Sequence, residues 1–142
     1  DKITYEPGEL HVVSYKAGKF WAEATVRTTG SAVYLRLTAD RQSISADGVD
    51  LSYITADVLD SQGSVVPTAN PEIEFSVSGS GEIIATDNGD PADLVAFTST
   101  NRKAFSGKAL AIVKASKRNG TISVVAKSEG LTSGEITLNL LT

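Results

Sequence analysis

The sequence predicts an all-β chain, an Ig-like β-sandwich of about seven strands preceded by a β-hairpin. Apolar and polar residues alternate with period two along most of the 142 residues. Turn-forming residues break that alternation about every eight to twelve positions. No apolar stripe of helical period is present.

The first thirty residues differ in kind from the rest. Tyr5-Glu6-Pro7-Gly8-Glu9-Leu10 leads into the apolar run Val12-Val13-Ser14-Tyr15, a turn follows at Lys16-Ala17-Gly18-Lys19, and Phe20 to Arg27 returns. One hairpin is too small to be stable alone. Thr29-Gly30-Ser31-Ala32 reads as a Gly/Ser link between two alternating runs, so the boundary falls there, with a hairpin over 1–30 and a sandwich over 31–142. Phe20, Ala22, Ala24 and Val26 share one face with no core of their own to cover it. Leaving each large side chain wet forfeits about 1.5–3 kcal/mol. The hairpin is therefore expected to fold back on the second domain or to pair with a neighbouring chain.

In the second segment, Val33, Leu35 and Leu37 open the series of strands. Ile54, Ala56 and Val58 precede the turn Asp60-Ser61-Gln62-Gly63. Ile73, Phe75 and Val77 alternate with Glu72, Glu74, Ser76 and Ser78, the pattern of a strand with one dry and one wet face. The run from Lys108 to Ala115 is almost continuously apolar and is expected to be central and covered on both faces. Ile122, Val124 and Ala126 follow, then Ile136, Leu138 and Leu140.

Composition limits what such a chain does. The net charge is -4, and no basic run exceeds Asn101-Arg102-Lys103 or Lys117-Arg118, which argues against nucleic acid or anionic membrane as a partner. Without cysteine there is no disulfide, thiolate nucleophile or zinc-thiolate site. No apolar run approaches the roughly 20 residues of a membrane-spanning helix. The chain is too short for a (β/α)8 barrel of about 250 residues, and from the absence of methionine it is expected to be a piece of a longer polypeptide.

The densest use of specialised residues is Thr86-Asp87-Asn88-Gly89-Asp90-Pro91, followed by Asn101-Arg102-Lys103-Ala104-Phe105-Ser106-Gly107-Lys108-Ala109-Leu110. Gly89 accepts positive φ, Pro91 presets φ and Asp90 is biased away from the helical region, so a turn is expected. Asp87, Asp90 and Asp93 beside Asn88 supply hard oxygens of the kind calcium uses. The spacing is not that of an EF-hand, and such clusters mostly bond their own backbone. The expectation is a structural latch without metal or cofactor, closed by Arg102 as a bidentate partner of Asp87 or Asp90.

Other constellations are weaker. Asp47 and Asp50 flank Gly48 in what reads as a solvated turn. Glu72 and Glu74 share a wet strand face, but a glycosidase pair must face across a cleft. His11 is the single histidine and has no triad partner in view; it is expected to be an exposed strand residue, and no G-x-S-x-G motif is present. Trp21, Tyr34 and Tyr53 alternate away from apolar neighbours and are the candidates for contact with carbohydrate or with another protein surface.

The loop and strand together resemble the C-terminal Ig-like module of glycoside hydrolase family 2 enzymes of the β-galactosidase type. That signature reads Asn-Gly-Asp-Pro, a short loop with Glu-Pro-Phe, then Arg-x-Ala-Phe-Asn-Gly and an apolar strand. This sequence departs from it at Val95-Ala96-Phe97, in place of Glu-Pro-Phe, and at Ser106, in place of Asn. Tyr-Glu-Pro-Gly-Glu-Leu and the Val26-Arg27-Thr28-Thr29-Gly30 exit resemble the last strands of the preceding Ig-like domain of the same enzymes.

The resemblance implies that the catalytic glutamates lie in a barrel elsewhere in the parent and that no catalytic residue carries over. Asp87, Asn88, Gly89, Asp90, Pro91, Arg102, Phe105 and Gly107 would be scaffold residues. The module would dock on other domains of the enzyme, orient subunits or rim the substrate cleft, and the parent would be an exported bacterial enzyme. Two other readings stay open: a carbohydrate-binding module, and an adhesin-type repeat, since Ser52 to Val77 is also similar to invasin-like Ig domains.

Overall fold

The computed structural model describes residues 4–141, which divide into two units, the first ending at Gly30 and the second beginning at Ser31. The first unit is an antiparallel hairpin of β1 (Glu9–Lys16) and β2 (Lys19–Arg27). Its turn places Ala17 and Gly18 at φ 48° and 74°, the positive pair that a two-residue hairpin of type I′ requires. Leu10 faces Val26 and Val12 faces Ala24 across the ladder, so one face is apolar. The other face carries Glu9 with Arg27 and His11 with Glu23, the latter pair 3.1 Å apart. Every residue of both strands is exposed.

The second unit folds as a sandwich of two sheets, with nine strands among the described residues. These are β3 (Ala32–Ala39), β4 (Ser43–Ser45), β5 (Leu51–Asp60), β6 (Glu72–Gly79), β7 (Gly81–Asp87), β8 (Asn101–Lys103), β9 (Lys108–Ala115), β10 (Thr121–Lys127) and β11 (Gly134–Leu141). One sheet has the order β4-β11-β10-β6-β8, the other β3-β5-β9-β7. All ladders are antiparallel except β4 against β11.

The dry faces meet as the alternation requires. Leu35, Leu37, Ile54, Ala56, Val58, Ile73, Phe75, Ile122, Val124, Ala126 and Leu138 are all buried in one core. The core face of β9 is made only of Ala109, Ala111, Val113 and Ala115, and these small side chains leave room for Phe75 and the isoleucines.

Three expectations need correction. The count of about seven strands omits β4 and β8, three residues each and too short to show a period. Val33 is 43% exposed, because the β3–β5 register shifts between Ala32 and Tyr34 and turns it out of the row of Leu35 and Leu37. Strand β9 is interior to its sheet, but its second face is only half covered. Leu110 and Ile112 there lie beside Thr55 and Tyr53, and no layer packs over them as completely as the core does.

Candidate functional site

The segment from Thr86 to Gly107 is organised around one buried cation. Arg102 enters on the short strand β8 with its side chain 1% exposed, and all five of its N–H groups find acceptors. Nε donates to Thr86 Oγ1 at 3.2 Å; Nη1 donates to Asp93 Oδ2 at 2.9 Å and Val95 O at 3.0 Å. Nη2 donates to Thr86 O and Ala96 O, both at 2.9 Å. Thr86, itself buried, donates its hydroxyl to Ser99 O at 2.6 Å, so both ends of the loop are tied to the same centre.

Arg102 therefore does close a latch, but on Asp93 and not on Asp87 or Asp90. The reason lies in what those two carboxylates already do. Asp87 Oδ1 accepts from the Asn88 and Gly89 amides at 2.7 and 3.2 Å, and Asp90 Oδ1 accepts from the Ala92 amide at 2.9 Å. Both spend themselves on turn formation within three residues of their own position. Asn88 is the second fastener. Its Oδ1 accepts from the Asp90 amide, and Nδ2 donates to Asp93 Oδ2 and Lys103 O at 2.8 and 2.9 Å. Gly89 sits at φ 76°, and Pro91 follows Asp90 in a turn closed by the Asp93 amide on Asp90 O at 3.1 Å.

Asp93 is held below the ordinary carboxylate range by the Val95 amide and then by Arg102. Asp47, Asp50 and Asp57 are also shifted downward. A general acid needs the opposite, a carboxyl pushed up so that it carries a proton near neutrality. No group of three or more acidic or histidine side chains suited to a metal is found among the described residues.

At the far end of the segment, Phe105 and Lys108 exchange two backbone hydrogen bonds of 2.9 and 3.0 Å around Ser106 and Gly107. Their φ values of 51° and 76° make a second turn of type I′. A methyl at Gly107 would lie 2.4 Å from Val66 O, so this glycine is required for space as well as for φ. The Phe105 side chain is 42% exposed.

The remaining predicted positions do not converge. Trp21 is 63% exposed, but the Lys16 ammonium lies 4.4 Å from its ring centroid and covers one face. Tyr34 is half-buried, with its hydroxyl beside the turn at Gly63, while Tyr53 is 43% exposed at the other end of the β3–β5 pair. Glu72 and Glu74 border an open depression of about 400 Å³ shared with Asn101, Lys127, Ser128 and Glu129. His11 is exposed, as expected.

Two ionic centres escaped the sequence reading. Asp57, 5% exposed on β5, is held between Arg36 at 2.8 Å and Lys108. Burial raises its carboxyl, but the two cations outweigh this and hold it low. The only sequence signal was an acid between Ala56 and Val58. Asp50 is more than a solvated turn: Arg41 donates to it at 2.8 Å and the Ser45 amide at 2.8 Å, which brings its pKa to about 2.

The second unit is thus an all-β sandwich whose loop aspartates Asp87, Asp90 and Asp93 bond nearby backbone amides and, at Asp93, Arg102. The sequence model of "Glycoside hydrolase family 2 C-terminal domain 5" matches residues 35–137, and the chain belongs to that family. It is 38% identical over 92% of its length to the β-galactosidase BoGH2A of Bacteroides ovatus, of which it spans 15%. It is 27% identical over 99% of its length to a β-glucuronidase of Formosa agariphila, of which it spans 14%. A glycosyl hydrolase family 2 member from Bacteroides cellulosilyticus has a similar structure, with a TM-score of 0.95 at 36% identity over 99% of this chain and 18% of that one. The chain thus corresponds to less than a fifth of the length of these relatives.

Proposed function

We propose that the chain is a non-catalytic accessory domain at the C-terminus of a β-galactosidase-like glycoside hydrolase, serving to dock on the rest of that enzyme. The observation that carries this is the engagement of the Asp87–Asp93 loop acids with nearby backbone amides and with Arg102. Asp87, Asp90 and Asp93 all accept hydrogen bonds from within the loop or from Arg102, so none of the three carboxylates of this loop is left without a partner. The apolar face of the hairpin supports the same reading. Leu10, Val12 and Val26 are each more than half exposed, as the last hairpin of a preceding sandwich is when the rest of that sandwich is elsewhere; Phe20, expected on the same face, is turned opposite Tyr15 by the bulge after Ser14.

The competing reading is a carbohydrate-binding module, favoured by the exposure of Trp21. Both are tested with the purified 142-residue chain. It is expected to hydrolyse neither aryl β-galactosides nor aryl β-glucuronides, and turnover above buffer that survives repurification contradicts the proposal. Retention on galactan that is lost in Trp21→Ala would favour the carbohydrate-binding reading.

A further inference from the structure

The latch holds a loop whose side chains the second unit does not cover. Leu94 is 96% exposed, Phe97 64% and Val95 46%. Their backbone, by contrast, is fixed from within. Asp93 Oδ1 accepts from the Val95 amide at 2.8 Å, Val95 O and Ala96 O accept from Arg102, and Phe97 O accepts from the Thr86 amide at 2.6 Å. A loose loop would fold its leucine and phenylalanine back onto the domain and reduce its wet apolar area. Here a buried arginine and two polar side chains hold the main chain so that these groups point away. Rigid display of apolar anchors lowers the ordering cost of binding.

We infer that the loop from Asp90 to Phe97 is a docking epitope, with Leu94 and Phe97 as its anchors, and that its occupant is an apolar pocket in the part of the glycosidase outside these 142 residues. Size selects that occupant. Covering the three side chains removes on the order of 400 Å² from water on this side, against about 800 Å² per partner for a stable complex of free proteins. A second copy or a diffusing partner is poorly held by so small a patch. A segment of the same polypeptide needs no more, because tethering supplies an effective concentration in the millimolar range. The relatives provide that polypeptide, since this chain spans only 15% of the length of one and 18% of another. The loop's acids need no charge from the pocket, because Asp90 and Asp93 are satisfied internally. The departure from Glu-Pro-Phe fits as well: Arg102 contacts only carbonyls at Val95 and Ala96, so the latch is kept while the displayed surface becomes more apolar.

This inference rests on the accessory-domain reading, and its test separates the two. Hydroxyl-radical footprinting with mass spectrometry is applied to the full-length polypeptide and to the 142-residue chain. Labelling of Leu94 and Phe97 is expected to fall several-fold in the full-length protein at every protein concentration. Equal labelling in both overturns the inference and leaves the accessory reading standing. Protection that appears only on raising concentration overturns it in favour of self-association, and protection only on adding galactan oligosaccharide in favour of a sugar contact. The double variant Leu94→Ser/Phe97→Ser gives a second readout. It is expected to leave the unfolding midpoint of the 142-residue chain unchanged and to restore labelling at Val95 in the full-length protein; continued protection of Val95 would count against the epitope.

Discussion

Replacing Arg102 by alanine removes the centre of the latch, and its cost follows from what is left behind. Five N–H groups disappear at once, stranding Thr86 O, Val95 O and Ala96 O, while Asp93 Oδ2 keeps only Asn88 Nδ2 and Thr86 Oγ1 only its bond to Ser99 O. Water reaches the loop side of this set more easily than the Thr86 side, where the residue is fully buried. Breaking a buried ion pair from one side costs about 3–5 kcal/mol, and each stranded buried polar group about 1–3 kcal/mol where no water replaces its partner. The expected loss is about 3–5 kcal/mol, a large part of the stability of a domain of this size. Arg102→Lys recovers little of it, because an ammonium has three donors and cannot span the same fork. Urea unfolding followed by far-UV circular dichroism measures the loss; tryptophan fluorescence does not, since Trp21 belongs to the first unit. In a cycle with Asp93→Asn, the double variant is expected to lose less than the sum of the singles. A loss under about 1 kcal/mol for Arg102→Ala, the level of a surface pair, would refute the reasoning.

Three other outcomes follow from the same geometry. Ser106→Asn is expected to stabilise by up to about 1 kcal/mol, because Ser106 holds φ 51° at a type I′ position where Asn is preferred; a lower unfolding midpoint would contradict this. Gly107→Ala should cost more than about 2 kcal/mol, since it adds strain at φ 76° to a clash 2.4 Å from Val66 O; a near-neutral effect in thermal melts would show that the β9 turn is not rigid. Acid should destabilise the second unit. Asp50, Asp57 and Asp93 are all held below the ordinary carboxylate value of 3.8, so at these groups the folded chain binds fewer protons than the unfolded one. Their stabilisation is complete above about pH 4 and is lost as pH falls toward the value of about 2 at Asp50. Melting temperatures that are flat between pH 5 and about 2.5 would count against those pairings.

Much of the fold was legible because one face of nearly every strand is dry. Ile54, Ala56 and Val58, or Ile122, Val124 and Ala126, name their strand and its inner face without further help. Period two fails where a strand is too short to show it, as at β4 and β8, and where a bulge shifts the phase, as at Val33. The latch was legible in kind but not in detail. An arginine near three aspartates predicts a pair, but the choice among Asp87, Asp90 and Asp93 depends on which carboxylates the turns have already used. Asp57 shows the complementary difficulty. Its partners Arg36 and Lys108 come from β3 and β9, and only the sheet order brings three such distant residues together.

The central claim, that the domain supports a glycosidase without supplying its chemistry, is tested most directly by measuring turnover of an aryl β-galactoside by the parent polypeptide with and without residues 31–142. In a truncated protein shown to be folded, kcat is expected to change by less than about tenfold, whereas loss of a general acid or base costs about 10²–10⁴-fold. A loss of that larger size would place a catalytic group in this domain and contradict the account.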